Sequence, residues 1–194
     1  MKKPIVQNPE ATARKLRQRL GVDDLTWIDP MTVLVKLKRL IRGFEFALVS
    51  SSELDGKLAR WESDRKRIAI RHDVFYAANE QRQEGRARYS IFHEVVHALE
   101  GHSGTLYRAV SREDIPVYAR KLRALEAYTD SVTAAFMAPR HLIVADETPQ
   151  SIAFRFGMSE QAARIRHEEV FGRPEMRRVV PQDIRDLLSW RDKI

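Results

Sequence analysis

The chain has 194 residues, 43% of them hydrophobic, and no cysteine, which allows one packed core with a small appendage and excludes a disulfide framework. Lys and Arg number 34 against 27 Asp and Glu, a net charge of +7. The basic residues are scattered through the chain, so they argue for a solvated surface over a dedicated nucleic-acid groove.

From Met1 onward no apolar run approaches the roughly 18 residues of a membrane span. No apolar signal core follows Met1-Lys2-Lys3, so a soluble cytoplasmic protein with no membrane partner is expected. Residues 9–20 read as a basic helix stopped at Gly21. Asp29-Pro30 supplies an N-cap and a first-turn proline for a helix running through Ile41 and ending near Gly43. Phe44 to Val49 alternates as a strand, and Leu58–Glu62 and Arg67–Arg71 flank the polar turn Ser63–Lys66 as two more. Asp73 to Glu84 is expected to be helical and to lead into the segment around which the chain is organised.

That segment runs from Arg86 to His102 and contains His93-Glu94-Val-Val-His97, the H-E-x-x-H pattern. On a helix, side chains four apart share a face, so both imidazoles can reach one metal ion while Glu94 sits beside them as a base. At 100° per residue Tyr89, Ile91, Phe92, Val95, Val96 and Leu99 sweep one half of the helix, and His93, Glu94, His97 and Glu100 take the other. Gly101 is a natural stop. A catalytic zinc takes three protein ligands and a water. The third ligand cannot be a metzincin histidine, because Glu100 and Ser103 stand where that motif needs glycine and histidine. Nor can it be a cysteine, since the chain has none. A downstream glutamate remains.

Glu126 and Asp130 offer it on a second helix that opens near Pro116, with Leu122, Leu125, Val132 and Phe136 as its buried stripe. Glu126 is the expected metal ligand. Asp130, one turn on, is expected to accept the free N–H of a ligating histidine and fix its tautomer. Between the two helices, residues 103–115 form a connector. His102 and Tyr107 are candidate cleft-lining groups able to steady an oxyanion, and Tyr128 and His141 are further candidates.

These two stretches resemble the ImmA/IrrE-type metallopeptidases, whose motif runs roughly R-x-R-F-T-x-A-H-E-x-G-H and then E-x-x-A-N/D-x-F-A-A-x-L-L-M-P. The chain has Arg86-Ala-Arg88-Tyr89-Ser90-Ile-Phe-His93-Glu94-Val-Val-His97, then Glu126-Ala-Tyr-Thr-Asp130-Ser-Val132-Thr-Ala134-Ala-Phe136-Met137-Ala-Pro139. It departs from the pattern at Val96, Thr129, Val132 and Ala138. The likeness spans about Leu58 to Gly172. It implies a small sheet edging the cleft, Zn2+ as the cofactor, and site-specific cleavage of a helix-turn-helix transcriptional repressor in a stress, phage or mobile-element response.

After Pro139, Thr148-Pro149 opens a helix, Gly157 breaks it and Ser159 caps another, a helix-turn-helix-like pattern over residues 148–172. Pro181–Trp190 reads as a final amphipathic helix. The expected fold is α+β, mostly helical, with a small antiparallel sheet beside the metal helix. Residues 1–145 form the peptidase domain and residues 146–194 a small helical appendage packed on it. Two other readings stay open: an antitoxin-like regulator that binds a protein without cutting it, and a DNA-binding protein using residues 148–172.

Overall fold

The computed structural model describes residues 8–80, 84–102 and 115–172. Tyr107, most of the connector and the expected helix Pro181–Trp190 lie outside the described residues. Helix α1 (Pro9–Leu20) is capped by the Asn8 side chain and ends at Gly21. Helix α2 (Pro30–Leu40) is capped by Asp29, whose carboxylate accepts from Met31 N and Thr32 N. Strands β1 (Glu45–Val49), β2 (Ala59–Glu62) and β3 (Arg67–Arg71) follow, then α3 (His72–Glu80), α4 (Gly85–Glu100) and α5 (Ile115–Met137). Helices α6 (Pro149–Phe156) and α7 (Glu160–Phe171) complete the described order. Among the described residues no helix is long and apolar enough to cross a membrane.

The α+β class stands, but the sheet is mixed. Its order is β1-β3-β2, with β2 antiparallel to β3 and β1 parallel to it. The tight turn between β2 and β3 makes the expected antiparallel pair. Residues 50–58 then carry the chain across the end of β3, where Arg71 N donates to Leu58 O at 3.0 Å, so β1 lies along the other edge in the same direction as β3. Alternation reports which face of a strand is buried; it carries no information about a neighbour's direction. Ile68, Ala69 and Ile70 of the central strand are all buried, as a strand covered on both faces requires.

Helix α4 is the core of the fold. Ile91, Phe92, Val95 and Val96 are fully buried in one cluster with Leu34 and Leu37 of α2, Ile68 and Ile70 of β3, and Val132 and Phe136 of α5. The Phe92 and Phe136 rings lie 5.5 Å apart and fasten α4 to α5. Replacing either by alanine in such a core costs about 3–5 kcal/mol.

Three buried arginines bolt loops to this core. Arg88 of α4 donates to Ile28 O at 2.7 Å and Gly157 O at 3.2 Å, with its guanidinium 3.5 Å from the centroid of the Trp27 ring. Arg17 donates to Phe136 O at 2.6 Å and Asp23 O at 3.1 Å, and burial lowers its pKa to about 10. Arg166 donates to Ala138 O at 2.8 Å and pairs with Glu10. Part of the basic excess is therefore internal and structural. Gly85, at the start of α4, approaches the Met158–Ser159 backbone so closely that a Cβ would sit 2.1 Å from Ser159 N. That contact seats the α6–α7 pair against the start of α4.

Candidate metal centre

The apolar half of α4 faces the core, which turns His93, Glu94 and His97 towards α5 and β2. Phe92 and Phe136 set the crossing, and Glu126 and Asp130 arrive from α5 one turn apart. His93 Nε2 lies 3.1 Å from Glu126 Oε2, His97 Nε2 lies 3.0 Å from His93 Nε2, and His97 Nε2 lies 3.5 Å from Glu126 Oε2. A tetrahedral ion with bonds of about 2.0–2.1 Å needs ligand atoms about 3.3–3.4 Å apart. The three measured edges bracket that spacing. The donors are two imidazoles and a carboxylate, the set that suits zinc, so the residues fit the ion.

The surrounding charges point the same way. The bonds to His93 and His97 hold the Glu126 carboxyl far below its ordinary range. Burial alone would lower the pKa of His93, but Asp130 and Glu126 outweigh it and raise the value to about 9. The pocket thus favours positive charge at the point where the three donor atoms converge.

Asp130 takes the place expected of it beside His93. Its Oδ1 lies 3.1 Å from His93 Nδ1. The approach is bent away from hydrogen-bond direction, and this buried nitrogen has no other partner among the described residues. Tyr89 OH donates to Asp130 Oδ1 at 2.9 Å and holds the carboxylate in place. Tyr89, assigned to the apolar half of α4 by periodicity, therefore has a polar task that periodicity hid. Its spacing of four before His93 was the available signal.

Glu94 accepts the backbone N–H of Trp61 at 2.6 Å. Burial raises its proton affinity, while His97, His93 and the Trp61 N–H pull the other way, and burial wins. Trp61 also donates its indole N–H to His102 O at 2.9 Å. Nothing in the sequence singled out Trp61, since a backbone donor on an edge strand leaves no residue signature.

His102 lies behind His97, with Nδ1 to Nδ1 at 2.9 Å. Tyr128 bonds Thr12 at 2.8 Å between α5 and α1, and burial pushes its phenol up to about 12. His141 is remote from the centre and stands against Asp23, with Asp24 nearby. Arg14 lies 3.6 Å from the Asp23 carboxylate, and the buried Arg17 donates to the Asp23 backbone carbonyl. A cavity of about 170 Å³ opens on the outer face of the sheet, where Glu62 pairs with Arg60 and Arg67 at 2.9 and 2.8 Å. It is part of neither cluster.

No family model, curated protein or solved structure matches the chain.

Proposed function

We propose that the protein is a zinc-dependent metallopeptidase of the ImmA/IrrE type, cutting a peptide bond in a protein substrate. The supporting observation is the convergence of His93 Nε2, His97 Nε2 and Glu126 Oε2 within 3.0–3.5 Å of one another, with Glu94 beside them. These three side chains would hold the ion. When bound, zinc would acidify a water molecule and polarise the substrate carbonyl. Glu94 takes the proton from the water and returns it to the leaving amine, a role its burial-raised proton affinity suits. Asp130 steadies His93 through Nδ1, and Tyr89 steadies Asp130.

The N–H of Trp61 points away from β3 to Glu94, so the free edge of β2 borders the centre. An extended peptide adding to that edge would run past Glu94. The resemblance supplies the substrate class, a helix-turn-helix transcriptional repressor. The alternative of DNA binding through residues 148–172 fits poorly. On α7 the exposed charges are Glu160, Arg164, Glu168 and Glu169, and Arg164 is paired with Glu160 at 3.8 Å. With three exposed carboxylates to one exposed arginine, α7 offers a phosphate backbone little attraction.

The test is Glu94→Gln. Zinc content should be unchanged, and cleavage of a repressor encoded beside this gene should fall by at least about 100-fold, the worth of a general base. A mutant that cuts at the wild-type rate removes Glu94 from this role. A wild-type protein that loads zinc and binds the repressor without cutting it replaces the peptidase with a protein-binding regulator.

A further inference from the structure

We infer that His102 is a positioning residue for the metal. It accepts the Nδ1 proton of His97 and so fixes the tautomer that leaves the His97 Nε2 lone pair free for the ion. This inference rests on the metal centre proposed above and adds a second support to it, different in kind from Asp130.

Helix α4 ends at Gly101 in the left-handed region, φ 68°, where a side chain would be strained. The turn brings the next residue back under the last helical turn, and His102 N donates to His97 O at 3.0 Å. The Trp61 indole N–H grips His102 O at 2.9 Å from β2, so His102 is tied from two elements. The result is a contact between two buried rings, 8% and 7% exposed, meeting edge to face with centroids 5.0 Å apart and Nδ1 atoms 2.9 Å apart.

Such a contact has one donor and one acceptor. His97 Nε2 is turned towards His93 and Glu126, and a metal there requires its lone pair. The ring proton of neutral His97 then sits on Nδ1 and points at His102 Nδ1, whose own proton is on Nε2. The two ligating histidines are thus held by unlike partners. His93 leans on a carboxylate, and His97 leans on a neutral imidazole placed by an αL glycine. Metal-ligating histidines need such a partner, and losing it typically weakens metal binding by about 10–100-fold.

Two variants separate the contact from mere filling of space. His102→Leu fills the site without an acceptor, whereas the Oδ1 of His102→Asn falls near the lost Nδ1. Zinc affinity is measured by chelator competition on full-length protein, beside the thermal melt of the metal-free form. The expected result is a loss of about 10–100-fold in His102→Leu, with affinity in His102→Asn returning to within about 3-fold of wild type. Wild-type affinity in His102→Leu overturns the inference and leaves the metal centre intact. Equal weakness in both variants overturns it too, because the acceptor is then not what matters. Failure of the wild-type chain to bind zinc removes the metal centre itself. Nitrogen-15 NMR of the zinc-loaded wild type covers the case in which His102→Leu does not fold. A proton on Nδ1 of His97 and on Nε2 of His102 is expected, and the reverse assignment overturns the inference.

Discussion

The α4–α5 crossing and the α6–α7 pair are both two-helix units that meet over buried apolar side chains, but they handle ionisable groups in opposite ways. In α6–α7 each carboxylate that is used has a cation. Glu147 takes Arg155 at 2.6 Å, Glu160 takes Arg164 at 3.8 Å, and Glu169 takes Arg166 at 3.2 Å. In α4–α5 the described partners of Glu126 and Asp130 are imidazoles and a tyrosine hydroxyl, with the acid Glu94 beside His93 and His97. A folded protein gains little stability from gathering acids that lack Lys or Arg partners. Such a gathering across two helices is the pattern expected of a site, whereas neutralised pairs are the pattern expected of a structural contact. The helix-turn-helix outline of α6–α7 carries less functional information than its motif suggests, because its charges are already used up or face water.

The comparison breaks most visibly at His97. His97→Ala should take zinc from one ion per chain to nearly none, read by metal analysis after gel filtration. Full occupancy in that variant would return the α4–α5 cluster to the status of a hydrogen-bonded network. A smaller effect is expected at Asp130. Asp130→Ala should weaken zinc affinity by about 10–100-fold with the thermal melt of the metal-free chain nearly unchanged. Unaltered affinity would mean that the bent contact to His93 orients nothing.

The smallest effect belongs to the other region and has the opposite signature. Glu147 is 4% exposed and anchors the start of α6 by accepting from Arg155, from Ser151 Oγ at 2.9 Å and from Val144 N at 3.0 Å. Burial alone would raise its pKa, but these bonds, led by Arg155, bring it below the ordinary value. A carboxyl depressed in the folded state stabilises it above the unfolded pKa of about 4.3, and that contribution fades as pH falls through the folded value. Glu147→Gln should therefore cost about 1–2 kcal/mol at pH 7 in urea unfolding, a cost that shrinks as the pH falls below the unfolded pKa, and leave zinc affinity alone. A change in zinc affinity here would blur the division between the two regions.

Local spacing determined much of this protein. His93 and His97 share a face because a helix turns every 3.6 residues, and Glu126 and Asp130 share one for the same reason. Asn8, Asp29, Thr148 and Ser159 cap the helices they precede, and Gly21, Gly101 and Gly157 end the helices they follow, because capping chemistry acts within three or four residues. Contacts between distant parts of the chain were decided elsewhere. The parallel run of β1, the Trp61 N–H on Glu94 and the Tyr89 hydroxyl on Asp130 join residues 22 to 41 positions apart. Each depends on how α4 packs against the sheet and α5. Periodicity tells a residue which face it occupies; only the packed core determines what stands opposite.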